Sequence, residues 1–243
     1  MGIVSEAKFH IFKEKIYSLQ LPLSDNDLLN SNFLLQKNEK KHLEVYYTPF
    51  DYINEHACLV IAGITPGLHQ MKKAYTAVLE VKDQQLSDEE ILHEVKKNAS
   101  FDGTMRNNLV TFLDNLRLHQ YLGIESTGEL FSSASHLVYN TSILPYAVFY
   151  KRKNFNGAQP TILKTDMLLN YVKDYFVKDI AKINDPLIIP LGVNVTKVLE
   201  ALKLDHYILK GFPHPSGGNG HRHRQFRENK EDMIKQIENY FSK

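Results

Sequence analysis

The sequence predicts an α/β fold: a parallel sheet with helices on both faces, in one domain. Three observations carry this reading. Short apolar runs alternate with amphipathic stretches along the chain. The runs are continuous rather than alternating in polarity, as in strands covered on both sides. Most of them empty into a Gly or Pro loop that leads to a helical pattern, the order of successive βα units.

The elements follow in order. Residues 5–19, "SEAKFHIFKEKIYSL", read as an amphipathic helix with Ser5 as its cap. Residues 22–42 are polar, a loop with a short helix, so 1–45 reads as a mainly helical extension. "LEVYYTPFDYI" suggests a strand stopped at Pro49, and "ACLVIAGITPG" a buried parallel strand that ends in a loop. Helices are expected from His69 to Leu79, in "LSDEEILHEVKKN" with the Ser87–Glu90 capping pair, and in "GTMRNNLVTFLDNLRLHQYLG" up to Gly123. "SHLVYNTSILP" is the second core strand and "ILKTDMLLNYVKDYFVKDIAKI" a long helix. "DPLIIPLG" is the third strand, "VNVTKVLEALKL" its helix and "HYILKGFP" the fourth strand, before a C-terminal helix from Arg222.

At 243 residues and 43% hydrophobic, the chain can bury a large core in a single domain. A net charge of +1 supplies no global field, so a polyanion would have to meet a local patch. The single cysteine, Cys58, lies in an apolar run and reads as a small buried hydrophobe in a reducing, cytoplasmic compartment. No apolar run is long enough to span a membrane, and the N-terminus lacks a signal-peptide pattern.

In open α/β sheets ligands bind beyond the carboxyl ends of the strands. The residues after the first core strand are Gly63-Ile64-Thr65-Pro66-Gly67, followed by Lys72 and Lys73. The second strand carries Asn140 and leads to Lys151-Arg152-Lys153. After the fourth come His214-Pro215-Ser216, Gly217 and Gly218, and then Arg222, Arg224 and Arg227. Three basic exits at one edge suit a phosphate-bearing ligand; solvated loop charges are the alternative. Gly63 and Gly67 leave room for a ligand, or mark a plain strand-to-helix turn. Asn140 either bonds a neighbouring loop or reads a planar ligand with one donor and one acceptor. His214, between Pro213 and Pro215, can donate as a neutral imidazole to a developing anion. His214, His221 and His223 do not have a zinc spacing, and Ser216 lacks the frame of a nucleophilic serine, so neither metal nor cofactor is expected.

Taken together, these segments resemble the uracil-DNA glycosylase superfamily. Gly63–Gly67, "GITPG", resembles the first motif of its mismatch-specific branch, Asn140 in "LVYNTSILP" the Asn that ends the second strand, and "HPSGGNGHR", His214–Arg222, the last motif. The three occur in family order over residues 58–226. The resemblance implies a three-layer αβα domain around a four-stranded parallel sheet. It also implies cofactor-free hydrolysis of the N-glycosidic bond of uracil or another deaminated base in DNA, by a monomer. His214 and Thr65 would be catalytic. Ile64, Pro66 and Gly67 would line the pocket, Asn140 would select the base, and Tyr75 would stack on it. Ser216, Gly217, Gly218, Arg222 and Arg224 would grip phosphates. Thr65 stands where the family has a water-activating Asp or Asn, and Gly218 where it has a wedge leucine. A non-catalytic nucleic-acid or nucleotide binder of the same fold is the alternative.

Overall fold

A computed structural model describes residues 2–4 and 7–242. The Ser5 cap expected from the sequence lies outside the described residues. The first strand, β1 (Gly2–Ile3), precedes α1 (Phe9–Tyr17), which buries Phe9, Phe12 and Ile16 on one stripe. Helix α2 (Asp25–Leu28) starts at a Ser24–Asp27 capping box. Strands β2 (Leu34–Asn38), β3 (Leu43–Tyr46) and β4 (Tyr52–Ile53) come next, so residues 1–45 are mixed rather than a mainly helical extension. The polarity of the 22–42 segment concealed β2, which keeps a half-exposed edge.

Strand β5 (Leu59–Gly63) is wholly buried, as its unbroken apolar run requires. It is followed by α3 (Leu68–Glu80) and α4 (Asp88–Ala99), whose Ser87–Glu90 capping box forms as the sequence indicates. The next helical pattern breaks in two, α5 (Thr104–Asn115) and α6 (Leu118–Leu122), because Arg117 turns left-handed at φ 60°. Strands β6 (Val138–Ser142), β7 (Ala147–Tyr150) and β8 (Lys153–Asn154) follow. The expected long helix runs as α7 (Asp166–Tyr171), a π-helical turn over Val172–Val177, and α8 (Lys178–Ile180). The chain ends with β9 (Leu187–Pro190), α9 (Val193–Leu202) and α10 (Arg222–Phe241). The expected fourth strand is reduced to a parallel bridge from Ile208 to Ile188 on β9.

The chain divides into two compact units, and each is discontinuous in sequence. Unit 1 holds residues 1–53, 64–100 and 142–182. Its main sheet, β2-β3-β7-β8, has antiparallel pairing throughout. Lys151 and Arg152, at φ 50° and 61°, form the two-residue turn of the β7–β8 hairpin. The Lys151-Arg152-Lys153 cluster is therefore a hairpin tip on an antiparallel sheet, not an exit of a parallel one. The core of this unit is rich in tyrosine. Phe12 stacks on Tyr47 at 4.2 Å between centroids, and Tyr47 and Tyr146 donate to the buried Asp51 at 2.8 and 3.0 Å. Burial holds the Lys96 ammonium down to about 7 despite the charges of Asp179 and Asp51.

Unit 2 holds residues 54–63, 101–141 and 183–243. Its sheet has the order β6-β5-β9, with β5 and β9 parallel, and residues 207–209 add the bridge outside β9. Leu59 and Ile61 of β5 and Leu187 and Ile189 of β9 point one way, into a cluster with Leu109 and Phe112 of α5 and Phe226, Met233 and Ile237 of α10. Two-residue periodicity in the strands and helical spacing in α10 meet in this layer. No helix among the described residues is long and apolar enough to cross a membrane.

Candidate functional site

Unit 2 collects several of the expected residues. Gly63 ends β5 and is buried. Asn140 lies in the middle of β6, next to β5, with 8% exposure. Beyond β9 and the 207–209 bridge comes the loop of Phe212 to Ser216. From β6 to β9 is two strand spacings, about 10 Å.

His214 is the best-determined group of this site. Its Nδ1 lies 2.9 Å from Ser216 Oγ and 3.3 Å from the Ser216 backbone N. A backbone N–H only donates, so Nδ1 accepts and the neutral ring carries its proton on Nε2. Burial lowers the imidazole pKa and favours that neutral form. Among the described residues Nε2 makes no hydrogen bond. The result is a rigid, uncharged N–H donor whose other ring nitrogen is fully engaged.

The sequence reading missed what holds this ring. Gly192, just after β9, has φ +89°, and a Cβ there would come within 2.9 Å of His214 Cβ. Its glycine is required twice over, by backbone and by contact. "PLGVN" gave only one signal, a glycine directly after an apolar run. Three asparagines bind carbonyls of the same loop. Asn229 donates to Gly211 O at 3.1 Å, Asn219 to His214 O at 3.1 Å, and Asn108 of α5 to Pro215 O at 2.8 Å.

The remainder of the loop is open. Gly217, Gly218 and Gly220 do not have positive φ, and a Cβ at Gly217 or Gly220 would meet nothing within 4 Å. Neither conformation nor packing demands glycine there. Ser216 directs its hydroxyl at the imidazole, a different use from the phosphate contact the resemblance implies. Arg222 donates from Nη1 to Asn219 O at 3.1 Å, while Arg224 is exposed beside Glu228 at 3.7 Å. Among the described residues, no group of three or more His, Cys, Asp or Glu side chains is placed to hold a metal ion.

The other expected residues belong to unit 1, where their polar groups are engaged. Thr65 Oγ1 donates to Tyr146 O at 2.7 Å and accepts from Val148 N at 3.0 Å, which ties the loop to β7. Ile64 O accepts from Leu144 N at 3.0 Å, and Pro66 is buried. Gly67 N–H meets Gln70 Oε1 at 3.4 Å, and Leu68 N–H meets Asn154 Oδ1 at 3.0 Å. The expected role of Tyr75 as a stacking platform is corrected: it is 0% exposed, edge-on to Phe33, and donates to Tyr47 O at 2.9 Å. A ring enclosed on all sides cannot receive a base. Lys72 likewise pairs with Asp25 at 2.5 Å.

No protein-family model matches the chain, and no solved structure matches it. It is similar to a Bacillus subtilis (strain 168) protein, "Uncharacterized protein YoxB", with 40% identity over 246 residues that cover 98% of this chain and 95% of that protein. Identity at that level over nearly the full length of both proteins means that the chain belongs to the YoxB family.

Proposed function

We propose that this protein is a DNA glycosylase-like hydrolase that cleaves the N-glycosidic bond of uracil or another deaminated base, with unit 2 supplying the chemistry. The observation that carries this reading is the Nε2–H of His214, fixed by Ser216 at Nδ1 and engaged with no group among the described residues. Cleavage of such a bond pushes negative charge onto the base. A neutral N–H donor that needs no reorganisation stabilises that charge as it forms. The order β6-β5-β9, with β5 and β9 parallel and the parallel 207–209 bridge beyond them, supports the four-stranded parallel core that the resemblance implies. The buried Asn140 supplies a carboxamide suited to an imide edge. Glycines at 217 and 220 that the protein itself does not require suit the close approach of a phosphate backbone, with Arg222 and Arg224 adding charge. The fold reading therefore rests on strand order and the three motifs together.

A second reading is favoured by one specific observation. Thr65, at the position of the water-activating residue, has its hydroxyl donating to one backbone group and accepting from another. A chain with no water-activating group there would bind the everted nucleotide and not cleave it.

Oligonucleotides that contain uracil, hypoxanthine or xanthine, single- and double-stranded, separate the two. The hydrolase releases free base and leaves an abasic site, and His214→Ala slows release by about 10²–10³-fold, as expected for loss of one oxyanion donor. An unchanged rate in His214→Ala would remove this mechanism. Salt-sensitive binding without release would establish the binder.

A further inference from the structure

We propose that Asn108 is a positioning residue for His214, acting from α5 through the carbonyl of Pro215. This inference rests on the reading of His214 as the anion-stabilising donor. Pro213 and Pro215 bracket the imidazole and remove two backbone N–H groups, so the loop has few donors of its own with which to anchor itself. It is held by its carbonyls instead. Gly211 O is bound from α10 by Asn229, and His214 O from within the loop by Asn219, which also donates to Gln225 Oε1 at 2.9 Å. Pro215 O is bound from α5 by Asn108, 107 residues away in sequence and with the shortest of the three distances, 2.8 Å.

The geometry gives Asn108 the critical place. Pro215 O belongs to the peptide that leads into Ser216, and Ser216 fixes the ring at Nδ1. One helical turn after Asn108, Phe112 stacks on Phe226 at 4.5 Å and meets Phe212 edge-on at 6.2 Å. The helix that carries the clamp is thus packed against both ends of the loop it clamps. Gly192 presses on the loop from the sheet side, under His214 Cβ. With Asn108 in place, the Ser216 peptide is locked and the proton stays on Nε2. Without it, the peptide can rotate away and Nδ1 can take the proton.

The test reads the imidazole directly and needs no substrate. Full-length protein with ¹⁵N-labelled histidine reports tautomer and titration for each ring, and His214 is assigned from His214→Ala. Wild type should show a single Nε2–H tautomer titrating below the ordinary 6.5 of histidine. Asn108→Asp, which keeps the shape and removes the donor, and Asn108→Leu should both show mixed tautomers. Asn108→Gln should restore part of the signal. In the active protein, either loss-of-donor variant should lower kcat by roughly 100-fold, as for a group displaced by an ångström, with KM little changed. A folded Asn108→Asp with the wild-type tautomer would overturn the proposal. If no base is released by wild type, the glycosylase reading fails while the imidazole spectrum still decides the clamp.

Discussion

The loop of residues 64–67 and the loop of residues 211–222 commit their polar groups in opposite ways. In the first, the Ile64 carbonyl, the Thr65 hydroxyl and the Gly67 and Leu68 amides are all taken by Leu144, Tyr146, Val148, Gln70 and Asn154. That loop is stitched to its own unit. In the second, the carbonyls are held by asparagines, yet the imidazole N–H and the glycines at 217 and 220 face no protein group among the described residues. Saturated polar groups stabilise a fold, whereas rigid groups left over are what a ligand can use. The loop of unit 2 thus keeps rigid polar groups open to a ligand, and the loop of unit 1 serves as scaffold.

The largest expected effect tests the rigid half of that comparison. Gly192→Ala places a methyl 2.9 Å from His214 Cβ at a φ of +89°, which L residues rarely adopt. Strain of about 1–3 kcal/mol is expected at such a position. Because the clash falls on His214, base release should drop by roughly 100-fold even where the protein remains folded. Thermal unfolding with a base-release assay measures both. A folded Gly192→Ala with the wild-type rate would show that the ring is not held from this side.

A smaller effect comes from pH, and it separates the two units. The His214 donor is useful only as a neutral ring, and burial lowers its pKa from 6.5. Activity should be flat above 6.5 and fall only below the lowered folded value. In that window the unfolded chain binds the proton that the native ring refuses, so stability also falls as pH drops from 6.5 toward the folded pKa. Lys96 in unit 1 is held from 10.5 down to about 7 by burial. The unfolded chain carries its proton throughout that range, so the Lys96 contribution is largest above 10.5 and is lost as pH falls toward 7. Denaturant titrations of wild type and Lys96→Met across pH 7–10.5 should diverge on this limb, while base release in the same buffers should not.

Much of unit 2 was legible in the sequence because its signals are local. The continuous runs 59–63 and 187–190, the period of α10 and the Ser87–Glu90 cap of unit 1 each depend on neighbours in the chain. Unit 1 was harder. Its antiparallel sheet pairs β3 with β7 across about a hundred residues, and β2 looked like loop because an edge strand need not be apolar. Within the site, the "HPS" loop announced itself through its prolines and glycines. Asn108 and Asn229 gave no sign, since each matters only for a carbonyl far away in sequence. Tyr75 misled because an aromatic near a ligand loop reads alike whether it lines a pocket or fills a core.

The smallest expected effect on chemistry comes from Thr65, where the two readings of this protein part. Thr65→Val keeps the shape and removes the hydroxyl, leaving Tyr146 O and Val148 N without their partner. An unmet pair of this kind costs about 1–3 kcal/mol. If the hydroxyl is only a strut between the loop and β7, stability should fall by that amount while base release stays within about threefold of wild type, less than 1.4 kcal/mol of barrier. If water activation passes through it, release should fall far more than stability, and Thr65→Ser should recover it. Thr65→Asp sharpens the question further. It restores the carboxylate expected of a water-activating position but removes the hydroxyl that donates to Tyr146 O. A gain in rate in that variant, despite lost stability, would show that water reaches residue 65 and that the hydroxyl had been diverted from catalysis to support. No gain would leave residue 65 part of the frame, and catalysis to the groups around His214.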